Sequence, residues 1–418
     1  MKNSEVIVVG DGAIGLCTAY YLSKYDVDVT ILTASEEGEQ QNCSYGNAGM
    51  VVPSHFTPLA APGVVKQGIK WMLNSNSPLY IKPRANRQLA SWLWKFYQSS
   101  SQANVDSSSQ LLYDMNTLSR ELFKEISNSE KVNFELEQKG LMMLYKSHKC
   151  QEAEEVLATK ALNFGIESEI LDSAQLQKLE PEYRPDVIGG VLYKSDAHMD
   201  PRLFMESLRS IVIQRGVKIQ YGCKVDGFKL KSSSVSELTT NLGNMSATNV
   251  VICAGAWTGS LVKRLDLKIP LMGGKGYSIT VNSPDKMINY PTVLCESKVA
   301  VTPMGTDLRI AGTMEIVGQD LSQNQKRVDN IKKAMAEYFL GFDSSQMEDQ
   351  KSWAGLRPVS PDGMPFIGKA EGYDNLYLNT GHAMMGLSLA PISGKLVAQL
   401  ITGKTTEFKI ERLNPNRF

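Results

Sequence analysis

The tightest constraint on the fold lies in the first thirty or so residues. Val6, Ile7, Val8 and Val9 form a short β-branched apolar run, and Gly10-Asp11-Gly12-Ala13-Ile14-Gly15 follows it. Residues 16–24 are rich in Ala, Leu and Tyr, and residues 27–32 form a second apolar run. Strand, glycine turn, helix and strand in about thirty residues is the size of one βαβ unit. Gly10 permits the tight turn, Gly12 lets the backbone approach a pyrophosphate, and Gly15 lets the helix pack closely on the strand. The helix start then offers unpaired N–H groups, those of Ala13 and Ile14 among them, and about half a positive charge. A dinucleotide site is predicted here; the competing reading is a glycine-rich structural turn. One feature departs from the pattern. The second strand normally ends in Asp or Glu about 20 residues on, to hold the ribose hydroxyls. Here it ends Ile31-Leu32-Thr33-Ala34, so Thr33 offers a neutral hydrogen bond and Glu36 or Glu37 is left to supply charge.

Composition narrows the partners. Lys plus Arg and Asp plus Glu both number 44, without the basic excess that nucleic acid demands. At roughly 150 residues per domain, the 418 residues allow two or three domains. The six cysteines show neither a CxxC pair nor a metal-ligand spacing. Cys17 and Cys253 sit in apolar runs and read as small core residues, which suits a reducing cytoplasm. No metal site is expected. The first residues do not read as a signal peptide, and no apolar run reaches the roughly 18 residues of a spanning helix.

Further along, residues 53–87 read as an irregular excursion rich in Pro, Gly and small residues, and residues 89–129 as two helices. Strands are predicted at 141–145, 217–221, 249–254, 277–281, 299–302, 308–311 and 376–379. Helices are predicted at 172–179, 203–215 and 387–401. The αβ pieces lie at the ends and middle, with antiparallel pieces between them, as in two interleaved domains.

Several separated motifs then combine. They are Cys43-Ser44-Tyr45-Gly46-Asn47-Ala48-Gly49-Met50, Trp353-Ala354-Gly355-Leu356-Arg357-Pro358, Pro361-Asp362-Gly363, and Asn379-Thr380-Gly381-His382 with Gly386. Ala60-Ala61-Pro62-Gly63, Ile69-Lys70-Trp71, Ser77-Pro78-Leu79, Asp196-Ala197-His198, Lys275-Gly276-Tyr277-Ser278 and Ala311-Gly312-Thr313-Met314-Glu315 extend the match. Together they resemble the D-amino-acid oxidase superfamily of FAD-dependent oxidoreductases, and within it the bacterial D-amino-acid dehydrogenases of the small-subunit type.

The resemblance implies an α/β (α+β) fold: a Rossmann-like FAD-binding domain interleaved with a mixed β-sheet substrate domain. The expected FAD-binding segments are 1–55, 197–270 and 350–418, and the substrate segments are 56–196 and 271–349. It implies non-covalent FAD, an amino-acid substrate, and a quinone or other carrier as electron acceptor. The expected location is cytoplasmic, with peripheral attachment to the inner membrane as an alternative. The implied reaction is oxidative deamination of a D-amino acid, D-proline and cis-4-hydroxy-D-proline included, by hydride transfer from Cα to flavin N5. The rival is an O2-using oxidase of glycine, sarcosine or another secondary amine.

Arg357, in the position that the family motif gives its carboxylate-binding arginine, offers a planar fork for the substrate carboxylate. The alternative is a structural pair with a carboxylate such as Asp362. Tyr277, His55 and His382 are further candidates for the substrate or flavin side. The resemblance places Ser44, Asn47, Ala48, Gly49 and Met50 along the pyrophosphate and ring, and Val225 and Ala34 toward the adenosine. It places Ala254, Gly255 and Trp257 over the pyrophosphate, and Gly355 and Gly381 near the flavin. Gly386, Leu387 and Ser388 are expected to open the last helix, with N–H groups aimed at charge developing on the ring.

Overall fold

The computed structural model describes residues 5–40, 42–65, 79–81 and 86–418. Ile69-Lys70-Trp71 and Ser77-Pro78 lie outside the described residues.

Two sheets organise the chain. The first has six strands in the order Lys218–Gln220, Val29–Leu32, Val6–Val9, Asn249–Ile252, Leu376–Thr380 and Phe366–Lys369. The first five are parallel and the last is antiparallel. A parallel sheet is covered on both faces, so its strands need unbroken apolar runs. Val6–Val9 and Val29–Leu32 are accordingly buried at every residue. The helices Ala13–Ser23 and Ala390–Thr402 pack against each other, and Pro201–Gln214 lies beside the first.

The last helix begins later than its periodicity predicts. Residues 383–385 form a short 3-10 turn, residues 386–389 continue as turns, and the helix starts at Ala390 with Pro391 in its first turn. Proline suits that position, where its missing N–H has no intrahelical partner to lose.

The second sheet is mixed. Its strands run in the order Ser352–Val359, Met272–Asn282, Asp307–Ile316, Val299–Met304, Thr292–Leu294, Leu141–Tyr145, Gly189–Tyr193 and Ser168–Asp172, and Leu79–Ile81 pairs with Asp307–Ile316. Ser352–Val359, which the sequence groups with segment 350–418, hydrogen-bonds here beside Met272–Asn282. The helix Gln325–Tyr338 packs on the back of this sheet with Tyr277, Ile279 and Leu294.

The front face carries two apolar clusters, one around Met272, Met314 and Val359 and one around Phe56, Met143 and Tyr193. Between them the cross-strand register lines up small residues: Gly355 with Gly276, and Ser278 with Ala311 and Ala300. Two long side chains of the Ser352–Val359 strand, Trp353 and Arg357, lie over Gly355 and Gly276.

A bulge breaks the register at that strip. Lys275 pairs with Glu315, but Tyr277 pairs with Gly312, so Thr313 and Met314 together oppose Gly276. Thr313 has φ 59°, a left-handed conformation that strains a β-branched residue.

Candidate active site

The glycine turn builds an open cradle. Gly10 has φ 111°, and a Cβ there would meet the Cys253 carbonyl oxygen at 2.5 Å. A Cβ on Gly15 would come within 1.9 Å of the Gly10 carbonyl oxygen, so helix and strand touch as only glycine permits. Gly12 is the N-cap and no side chain caps the helix. The Ala13 N–H donates to Ser44 Oγ at 3.0 Å. Among the described residues, the N–H groups of Gly12, Ile14 and Gly15 have no hydrogen-bond partner.

At the outer end of the cradle, Thr33 does not offer a free hydroxyl. Its Oγ1 donates to Asp11 at 2.9 Å and accepts the Ser35 N–H, while Asp11 also pairs with Arg209 at 2.8 Å. The acid missing from the strand end therefore stands inside the glycine turn, with a cation on it. Ala34, Glu36 and Glu37 are exposed, and Val225 is half-buried where the Val225–Lys231 strand begins.

The segment 44–50 forms the next wall. Gly49 has φ 75° and a Cβ there would sit 2.1 Å from the Met199 carbonyl oxygen, while one on Gly46 would strike the Trp353 ring at 2.2 Å. The Asn47 side chain accepts the Gly49 N–H at 2.8 Å. Buried Arg309 reaches across from the large sheet and donates to the carbonyls of Tyr45 at 3.0 Å and Asn47 at 3.1 Å. No motif in the sequence marks this cation, because nothing in Leu308-Arg309-Ile310 shows which loop it meets. Burial and the charge of Arg202 hold its pKa down to about 10.

Arg357 lies over the glycine strip. A Cβ on Gly276 would meet its guanidinium at 2.1–2.4 Å. Its Nη1 donates to the Thr313 carbonyl at 2.9 Å, so the bulge turns a backbone acceptor toward the cation. Among the described residues no carboxylate forms an ion pair with Arg357. Asp362 is taken by Arg417, whose Nε and Nη2 lie 2.7 and 2.9 Å away. Burial lowers the Arg357 pKa, opposed only by Cys43. Arg357, Cys43 and His55 each keep accessible surface and are nonetheless desolvated. Groups lining a deep cleft behave this way.

Tyr277 does not join Arg357. Successive strand residues face opposite ways, so with Gly276 under the guanidinium, Tyr277 points to the back. There its hydroxyl donates to Glu315 at 2.6 Å, in a buried set with Lys275 and Arg327.

His382 is 1% exposed; its Nε2 meets Ser393 Oγ at 2.9 Å, and its Nδ1 has no partner among the described residues. Burial lowers its pKa to about 3, so the ring is neutral. Gly381 packs on Phe366, a Cβ there lying 2.8 Å from that ring. Leu387 is buried in the core and the Ser388 hydroxyl is occupied, donating to Asn116 and accepting the Val52 N–H. The N–H groups of Gly386, Leu387 and Ser388 are unpaired among the described residues. A Cβ on Gly355 would strike the Trp353 ring at 1.9 Å. Ala254 and Gly255 follow the Asn249–Ile252 strand, and Trp257 is 45% exposed.

The family model described as DAO, FAD dependent oxidoreductase, matches residues 5–400. The chain belongs to this family. A D-amino acid dehydrogenase of Neisseria meningitidis is 30% identical over 99% of both chains. Glycine oxidase from Geobacillus kaustophilus superposes with a TM-score of 0.81 at 21% identity, covering 100% of both chains. The FAD-bound L-α-glycerophosphate oxidase of Mycoplasma pneumoniae superposes with a TM-score of 0.74 at 19% identity, covering 98% of this chain and 97% of that one.

This DAO-family enzyme is FAD-dependent, and its residues fit the cofactor. An uncapped helix start, glycines at which a Cβ has no room, and a second turn of unpaired N–H groups form two donor-rich ends. Both are suited to anionic parts of one extended molecule.

Proposed function

We propose that the enzyme oxidises the Cα–N bond of a D-amino acid and passes the electrons to a carrier, as a dehydrogenase. The observation that carries this reading is Arg357, a desolvated fork over Gly276 that is held by a carbonyl and lacks a carboxylate. A buried cation without a counter-charge is costly, and a substrate carboxylate bound bidentately relieves it. The N. meningitidis relative supports the D-amino acid and the dehydrogenase.

In this reading the N–H groups of Gly12, Ile14 and Gly15, with Ser44, hold the pyrophosphate, and residues 47–50 line the ring. The N–H groups of Gly386 to Ser388 face the ring's electron-rich edge. Bound FAD supplies a two-electron acceptor. Arg357 orients the acid so that Cα–H faces it. Tyr277 has no part in carboxylate binding.

The test is bleaching of the flavin absorption under anaerobic conditions by a panel of D- and L-amino acids, D-proline and cis-4-hydroxy-D-proline included. D-enantiomers should bleach it, and reoxidation should be faster with a quinone than with O2. Bleaching by L-enantiomers alone, or by none, overturns the reading.

A further inference from the structure

Ser54, His55 and Asp196 form a chain of polar groups that carboxylate binding leaves unused. Asp196 is fully buried. Its Oδ1 accepts the Ser54 N–H at 3.0 Å and its Oδ2 accepts the Ser54 hydroxyl at 2.5 Å. That hydroxyl has one proton, given to Asp196, so toward His55 Nδ1 at 3.1 Å it acts as acceptor. The neutral imidazole therefore carries its proton on Nδ1 and presents Nε2 as a lone pair, with no partner among the described residues. A tie that merely fixed this loop would need Ser54 and Asp196. It would not need a histidine with its second nitrogen open.

The chain stands on the same side of the sheet as the carboxylate site. Phe56, next to His55, packs in the front-face cluster. Val299 pairs with Gly312, so Lys298 and Thr313 are the residues next to the last pair of that ladder, and the Thr313 carbonyl holds Arg357. Lys298 is exposed and close enough to oppose protonation of His55. Arg120 is the cation facing Asp196, and its nitrogens bond the Ser195 carbonyl and Glu121.

An α-amino acid arrives with an ammonium group, and that nitrogen needs a free lone pair before the Cα–H bond can yield its electrons. On the reading that this site oxidises an amino acid, on which the inference rests, we infer that His55, relayed through Ser54 to Asp196, accepts the substrate's ammonium proton. The substrate N–H bond breaks and a bond forms at Nε2. The Nδ1 proton passes to Ser54 Oγ, and the Ser54 proton passes to Asp196 Oδ2. His55 and Ser54 end neutral, Asp196 ends as a carboxylic acid, and the amine keeps its electron pair. Burial raises Asp196 to about 7, which suits it to take a proton near neutral pH. Burial and Lys298 lower His55 to about 4, so the proton does not rest there.

The experiment compares the wild-type holoenzyme with Asp196→Asn, His55→Asn and Ser54→Ala, using the amino acid that bleaches the wild-type flavin fastest. Wild-type kcat/KM should fall on acidification through about pH 7. In Asp196→Asn and His55→Asn this limb should shift up toward the substrate's own amine, with kcat/KM at pH 7 lower by roughly 10²–10⁴-fold, the range of general-base catalysis. Ser54→Ala should fall between. Bound flavin content and the affinity for tetrahydrofuran-2-carboxylate, which has no amine proton, should stay unchanged and so exclude misfolding. On mixing with substrate, the wild-type infrared difference spectrum should gain a protonated-carboxyl band that Asp196→Asn lacks. Wild-type pH profiles in Asp196→Asn and His55→Asn, or no such band, overturn the relay alone. A wild-type flavin that no amino acid bleaches overturns the function on which it rests.

Discussion

Two desolvated arginines, Arg309 and Arg357, differ in what the fold places against them. Arg309 donates through Nη1 to the Tyr45 and Asn47 carbonyls and fixes a loop, while Arg357 has one carbonyl and an open side. Truncating one partner of a desolvated charge pair costs about 2–5 kcal/mol. Arg357→Ala should therefore raise KM at least about 30-fold with flavin content unchanged. Arg357→Lys should recover little, because a point charge cannot replace the fork; steady-state kinetics with bound-flavin absorbance checks both. Tyr277→Phe should leave KM unchanged and lower Tm, since its hydroxyl serves Glu315. Stability should also depend on pH in a definite way. Burial raises Asp196 and Glu180 to about 7, so the stability of their protonated forms is lost as pH rises through that value. It lowers His55 and His198 to about 4 and His382 to about 3, below the ordinary 6.5. Those histidines stabilise the fold above pH 6.5 and lose that contribution as pH falls. Between about pH 5 and 6 the unfolded chain binds three histidine protons and the folded chain two carboxyl protons, so acid wins by one. A Tm scan should peak near pH 6.5; a monotonic rise from pH 5 to 8 would contradict this.

Among the elements, the glycine turn and the bulged strand set the site. A Cβ on Gly276 would overlap the guanidinium, the far end of a flexible side chain, rather than backbone. Gly276→Ala should thus fold and bind FAD while raising KM as Arg357→Ala does, because the fork is displaced. Gly15→Ala meets the Gly10 carbonyl instead. It should lose FAD, read as an increased Kd by flavin-fluorescence titration. The strand–turn–helix–strand order was legible because the period of apolar residues and the glycines agree locally. The start of the last helix was misplaced because the apolar run continues through Leu387 and Leu389, which are buried in turns. The helices His148–Leu162 and Gln325–Tyr338 are absent from the sequence reading, although Val328, Ile331, Ala334, Met335 and Tyr338 recur at helical spacing and form the buried face of the second.

At the scale of the molecule, residues far apart in the chain pair close to the Ser352–Val359 strand that carries Arg357. Asp362, five residues beyond Arg357, is held by Arg417 near the end of the chain, which also stacks on Phe366 at 3.9 Å. Arg417→Ala leaves Asp362 buried and unpaired, which costs about 3–5 kcal/mol. A drop in Tm of several degrees is expected by thermal shift, together with weaker substrate binding as the turn after Arg357 loosens. The sequence by itself carried the family and its FAD through the resemblance of motifs spread along the chain, and the glycine turn through a βαβ unit whose contacts lie within about thirty residues. It also singled out Arg357 as an expectation, through a local motif. Only the tertiary structure decided that Asp362 pairs with Arg417, that Tyr277 faces away, that Asp11 takes the Thr33 hydroxyl, and that Asp196 stands behind Ser54. Each depends on strand register or on pairs far apart in the chain, and neither leaves a periodic trace in the order of residues.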